Sequence, residues 1–222
     1  MRVYHFTNFA FGISNIALRR LKISRLNDLN DPFEFLSADL LDSRHRTALI
    51  NFKNELHEKT GMICFSSSWR NPLLWGHYAD HHRGMALGFE IPDHFLFPVN
   101  YTSERFKVQF DPMKNAVLNA DGVVEGLLST KFRDWKYEQE HRWFIPLSGK
   151  IPEAGLYFEH FSENLKLCEV VLGLKSELDP ARFKTLFRND LDSVRLKKAG
   201  MALRKFSIIE DRSARAALKL SR

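Results

Sequence analysis

Between Ile63 and Glu90 the chain reads ICFSSSWRNPLLWGHYADHHRGMALGFE, a segment that admits little besides strand, helix, strand. Two apolar runs, one ending at Phe65 and one starting at Met85, bracket three serines and a stretch in which Leu74, His77, Tyr78 and His81 recur at helical spacing. Pro72 suits the first helical position, where its missing N–H costs nothing, and Asn71 suits the N-cap, where its side chain accepts from the free first-turn amides. Ser66, Ser67 and Ser68 therefore meet a helix bearing Trp, Tyr and His at one junction, an arrangement that grips a polar, planar ligand.

The rest of the chain bounds what that junction can belong to. At 222 residues and 44% hydrophobic content the sequence can bury a full core, and no linker or low-complexity stretch divides it, so a single domain over 1–222 is expected. No apolar run is long enough to cross a bilayer, and the start MRVYHF lacks the apolar core of a signal peptide, which predicts a cytoplasmic protein without membrane contact. Cys64 and Cys168 lie in apolar, strand-like runs without a CxxC, and read as buried free thiols. The net charge of +6 is local, because Thr185 to Arg222 holds ten Lys or Arg against four Asp or Glu. Clustered cations attract phosphate backbones, but these are interspersed, which equally fits a solvated face.

Period-two runs predict strands at 2–6, 22–25, 106–110, 157–161, 167–172, 194–198 and 203–209, with a turn into a further strand across 135–146. Helical spacing predicts helices at 13–21, 38–59, 112–128 and 179–188, the second with Leu41, Ala48, Leu49, Phe52 and Leu56 inward. LNDLNDPFE at 26–34 is so dense in Asn, Asp and Pro that it predicts a structured loop, with Asn30 and Asp31 bonded to their own backbone. Strands and helices alternate without a regular beat, which favours an α+β fold of mainly antiparallel strands, two sheets around a cleft with flanking helices.

Several chemistries are excluded by motif: no GxGxxG follows a strand, and GxxxxGK[ST], GxSxG and HExxH are absent. His77 and His81 sit four apart on the predicted helix, a two-ligand zinc spacing that Glu138 or His141 would have to complete; packing and hydrogen bonding are the competing roles, and no metal is expected. Glu138, Glu140 and Arg142 sit at period two, which places all three on one strand face. A guanidinium there can hold one carboxylate ionised while like-charge repulsion tunes the other, although a surface ladder of Glu and Arg would share the pattern.

Four ordered signatures carry a resemblance. YHFT at 4–7, LNDPFE at 29–34, CFS followed by LWGHYADHHRGMALGFE within 64–90, and WKYEQEHR at 135–142 resemble the bacterial family known as domain of unknown function 2971, in order and up to about residue 210. A deeper similarity is to the ADP-ribosyltransferases, especially the toxins that modify nucleic acid. It implies an ADP-ribosyltransferase-like fold, NAD as substrate, and a role in toxin–antitoxin or antiviral defence, with a nucleic-acid acceptor and an antitoxin or other regulatory protein as partners. By that resemblance His5 holds the ADP-ribose part of NAD with Thr7 beside it, Tyr78 stacks on nicotinamide, and Glu140 bonds the ribose. Ser66 resembles the strand serine of the arginine-modifying branch, and Glu138 the residue two before its catalytic glutamate. Trp75 would add a second aromatic wall and Arg70 a guanidinium for the pyrophosphate. The competing readings are a non-catalytic nucleic-acid- or protein-binding domain using the basic C-terminal region, and a metal-dependent hydrolase using His77 and His81.

Overall fold

The computed structural model describes residues 1–39, 41–107, 110–111, 116–117, 120–178, 180–187 and 193–213. The first half of the chain supplies β1 (Arg2–Thr7), α1 (Phe9–Ala17), β2 (Arg20–Arg25), α2 (Ser43–Lys59), β3 (Thr60–Ser66), α3 (Pro72–Tyr78) and β4 (Met85–Glu90). Short strands β5 (Phe97–Pro98), β6 (Asn100–Thr102), β7 (Phe110–Asp111) and β8 (Ala116–Val117) precede α4 (Ala120–Ser129) and β9 (Thr130–Phe132). Then come β10 (Glu140–Pro146), β11 (Tyr157–His160), β12 (Lys166–Leu172), α5 (Pro180–Leu186), β13 (Arg195–Met201) and β14 (Ile208–Glu210).

The fold is α+β, and its centre is one ten-stranded sheet in which β12 and β13 are the parallel pair and the other pairs run antiparallel. Two two-stranded ribbons, β6–β9 and β7–β8, lie off it. Among the described residues the two packed sheets expected around a cleft are not found; the large sheet branches at β3 instead. One edge of β3 is occupied from Thr60 to Ser66 by β10, so β1 and β2 must share the other. β2 takes its start, pairing Ser24 with Met62 and Arg25 with Gly61, and β1 takes its end, pairing Tyr4 with Ser66. Between those contacts the two strands diverge, and His5 Nδ1 bridges the gap at 3.1 Å from the Cys64 carbonyl.

Strand periodicity decides what lies on each side of the branch. Ile63 and Phe65 of β3, Trp143 and Ile145 of β10, and Met85, Leu87 and Phe89 of β4 enter one apolar cluster with α1 and α5, which spans both halves of the sheet. The opposite face carries two smaller clusters instead. Tyr4, Trp75, Ala79, Ala86 and Val171 form one under α3, and Leu26, Phe35 and Met62 form the other. Polar groups occupy the space between them.

Several boundaries move from their sequence expectation. α2 starts at Ser43 rather than at 38, so Leu41 is exposed while Leu49 is buried. The predicted 203–209 strand shrinks to Ile208–Glu210, leaving Leu203 and Phe206 at a solvent-facing turn. Of the strand predicted at 106–110, Phe106 makes an isolated bridge and Phe110 pairs in β7, with 108–109 outside the described residues; of the helix predicted at 112–128, Ala116–Val117 is strand β8 instead and the part from Ala120 forms α4. Ala48, the first residues of that helix at 112–115, and the basic stretches at 188–192 and 214–222 lie outside the described residues or side chains. Both cysteines are free and half-buried. Among the described residues no helix is long and apolar enough to cross a membrane.

Candidate active site

A cavity of about 250 Å³ fills the branch point. Its walls come from Tyr4, His5 and Phe6 of β1, from Cys64 and Ser66 of β3, from the 28–34 loop, and from Tyr78 at the end of α3. Its floor holds the charged groups Glu34, Lys131, Glu138 and Glu140. The strand-to-helix junction read from the sequence is thus one wall of a real cavity, and the WKYEQEHR stretch contributes Glu138 and Glu140 to its floor.

The floor is a buried ionic cluster. Gln139 takes a left-handed conformation at φ 47°, which ends the 3-10 turn at 133–138 and starts β10, so that Glu138, Glu140 and Arg142 all turn inward. Arg142, fully buried, donates from Nε to Glu140 Oε1 at 2.9 Å, from Nη2 to both Glu34 oxygens at 2.8 Å, and from Nη1 to the Leu128 carbonyl at 2.8 Å. Lys131 Nζ donates to Glu138 at 2.6 Å and to Glu140 at 3.2 Å, and lies 3.3 Å from Glu34. Tyr78 donates its hydroxyl hydrogen to Glu138 at 2.5 Å and accepts from Asn30 Nδ2 at 3.2 Å. Tyr101 Oη accepts the Glu140 amide at 2.8 Å.

This environment separates the two glutamates. Burial alone would make Glu140 less acidic, but Arg142 and Lys131 outweigh it and hold the carboxyl down at about 2, a fixed negative charge. Burial also dominates at Glu138, where Lys131 and Tyr78 compensate only in part and the like charge of Glu140 adds to the shift, so its pKa is raised. Burial works against the charge on Lys131 as well, yet Glu140, Glu34 and Glu138 together raise its pKa. Tyr78 is raised by burial and by Glu138, and remains a proton donor. His5 is lowered by burial and is a neutral imidazole near neutrality.

Of the residues singled out from the sequence, His5, Ser66, Tyr78, Glu138 and Glu140 line the cavity together. Ser66 Oγ also accepts from the Ser68 amide at 3.2 Å and donates to the Ser68 carbonyl at 2.9 Å, which turns the chain out of β3. Three do not join them. Trp75 is wholly buried, its Nε1 donating to the Trp69 carbonyl at 2.7 Å and its ring edge-on to Phe6, so it is core rather than a wall. Arg70 is exposed beside the Trp69 ring and off the cavity lining, its carbonyl accepting the Ile208 amide of β14 at 2.8 Å. Thr7 is buried at the far end of β1, where its carbonyl packs so tightly on Gly84 that a Cβ there would lie 2.2 Å away.

The zinc spacing also dissolves. α3 stops at Tyr78, and Asp80, His81 and His82 all take positive φ, so His77 and His81 share no helix face. Among the described residues no group of three His, Cys, Asp or Glu side chains is placed to hold a metal ion. Asp31 makes the expected local bond, accepting from the Phe33 amide at 2.9 Å, whereas Asn30 reaches across to Tyr78 instead. Glu34, Lys131 and Tyr101 were not anticipated. Glu34 closes the LNDPFE signature, which was a usable signal; Lys131 and Tyr101 had none, since their partners are set by tertiary packing. Comparison of the chain with protein-family models, with curated proteins and with solved structures returns no match.

Proposed function

We propose that this protein breaks the nicotinamide–ribose bond of NAD and transfers the ADP-ribosyl group to an acceptor. One observation carries the reading: three carboxylates face two cations in a buried cluster against a cavity, so the site holds an excess of negative charge with one carboxylate fixed and one tuned. As the bond breaks, its electron pair passes to the nicotinamide nitrogen and discharges the pyridinium, while C1′ of the ribose becomes oxocarbenium-like. A preorganised anion beside that centre stabilises the transition state. Glu140 is assigned this role. The incoming nucleophile forms the new bond to C1′, and Glu138, the less acidic carboxylate, accepts its proton.

The flat face of Tyr78, with its hydroxyl anchored on Glu138, suits the planar nicotinamide, and His5 and Ser66 supply hydrogen-bonding groups on the facing strands. A cavity of about 250 Å³ fits the nicotinamide and its ribose, with the rest of the dinucleotide outside it. The resemblance to ADP-ribosyltransferases adds the order of His, Ser, aromatic and Glu along the chain, and assigns such an activity to bacterial conflict or antiviral defence under a neutralising partner.

The test is nicotinamide release, measured by chromatography after mixing the folded protein with NAD. The parent is expected to release nicotinamide, and Glu140→Gln to bind NAD nearly as before while turning over at least roughly 100-fold more slowly. No release by the parent, or equal release by a folded Glu140→Gln variant, overturns the reading.

A further inference from the structure

A smaller cavity, of about 170 Å³, is bounded by the end of α1, the turn from β11 into β12 and the residues just before β13. It shares no described lining residue with the cavity at the branch point. Its apolar side is the edge of the main core: Ile16 and Leu165 are buried, and Phe161, Leu167 and Val194 pack against the same cluster. Two exposed cations, Arg19 and Lys166, stand on the lining with Ser162 and Ser193. Among the described residues no carboxylate lines this cavity, and neither cation makes an ion pair or a side-chain hydrogen bond. Glu90, opposite Lys166 in the strand register, pairs with Arg2 at 2.6 Å instead, and Glu163 of the β11–β12 turn lies off the lining.

The backbone at Arg19 points the same way. α1 is capped by Leu18, and Arg19 follows in the left-handed region at φ 50°, where helices most often place Gly because a Cβ is strained there. The Arg19 amide donates to the Ile16 carbonyl at 3.1 Å, and its carbonyl accepts the Phe161 amide at 2.8 Å, which clamps the residue to the opposite wall. Gly would make both bonds without strain, so what the strained position secures is the guanidinium.

An apolar floor beneath two unpaired cations selects an amphipathic anion. Inorganic phosphate would leave the floor uncovered, and a hydrocarbon would leave the cations unanswered. An apolar cavity of about 150 Å³ holds benzene, so one of this size takes a single compact hydrocarbon body. We infer that this cavity binds a small monocarboxylate with a compact apolar body, the body against Ile16, Phe161 and Leu165 and the carboxylate between Arg19 and Lys166. A planar guanidinium meets a carboxylate with two parallel hydrogen bonds, and the ammonium adds a point charge. This binding is independent of the chemistry proposed at the branch point.

The experiment titrates the full chain with sodium benzoate at constant ionic strength, read by saturation-transfer NMR, with benzamide as the neutral isostere and inorganic phosphate as the anion without an apolar body. Benzoate should bind with a Kd of about 1 mM or tighter, and the other two roughly tenfold or more weakly. Arg19→Gly should weaken benzoate by roughly tenfold or more while leaving the Tm unchanged or higher, because it removes the guanidinium and relieves the backbone together. Lys166→Gln should weaken benzoate by roughly threefold or more, and Arg204→Gln, on the exposed turn before β14, should change nothing. If Arg19→Gly fails to fold, Lys166→Gln carries the comparison. Absence of benzoate binding overturns the inference, as does equal binding of benzamide or phosphate. So does a benzoate affinity that survives both Arg19→Gly and Lys166→Gln, or that falls equally in Arg204→Gln.

Discussion

β4 and β10 are both interior strands of the same sheet, and they are buried by opposite means. From Met85 to Phe89 the side chains of β4 are apolar and the strand is buried on both faces. β10 buries Trp143 and Ile145 on one face but Glu140 and Arg142 on the other. Burying apolar groups stabilises in proportion to area, about 25 cal/mol per Å². Burying ions costs several kcal/mol each unless every charge is paired, and even paired ions often do no better than a hydrophobic replacement of the same shape. Stability therefore accounts for β4 by itself, and for β10 only in part. The ionic face of β10 marks where the molecule keeps a charged arrangement that packing alone would not select, and that face borders the cavity.

The comparison breaks most sharply at Arg142. Arg142→Ala leaves Glu34 and Glu140 buried without their main partner and should cost about 3–5 kcal/mol in denaturant unfolding. In β4, Leu87→Ala should cost about 2–5 kcal/mol by cavity formation. The two losses differ in repair. Adding Glu34→Gln and Glu140→Gln to Arg142→Met should recover much of the first while abolishing nicotinamide release, and no polar change rescues the second. If the triple variant is no more stable than Arg142→Ala, the face is structural and the contrast between the strands is lost.

Acid sharpens the same contrast. Glu140 has its folded pKa depressed from 4.5 to about 2, so the unfolded chain binds the extra proton between those values. Its contribution is complete above pH 4.5 and disappears as pH falls towards about 2, and Glu140→Gln should flatten the stability profile in that window, as Leu87→Ala should not. Glu138 is shifted the other way, so its stabilising effect is present at low pH and is lost as pH rises through its raised value. Turnover that uses Glu138 as a base should accordingly rise with pH through a limb above 4.5, and this limb should vanish in Glu138→Gln. The smallest effect is expected at the rim. Asn30→Ala removes one exposed hydrogen bond to Tyr78 and should cost about 0.5–1.5 kcal/mol, with activity falling only as far as Tyr78 loses its orientation.

What the sequence determined on its own is whatever depends on neighbours along the chain. The Asn71-Pro72 start of α3, the strands flanking it, the Asx turn at Asp31 and the period-two pair Glu140 and Arg142 are all local, and local chemistry makes them legible, whereas Glu138 precedes β10 in a 3-10 turn and joins their face through the left-handed Gln139. Periodicity misled where it ran past a stop that only backbone conformation reveals, as at His81, where the chain turns left-handed after Tyr78. The tertiary structure decided the rest. That β1 and β2 divide one edge of β3, and so open the cavity, follows from β10 filling the other edge. That Glu140 is the clamped carboxylate and Glu138 the tuned one depends on Lys131 and on Glu34, which lies 108 residues from Arg142. Trp75 became core for the same reason: a helix face has no preferred side until the sheet it packs on exists. Spacing can put charges on one face of a strand, but the dielectric they experience and the partners they find are set by which distant segments close over them.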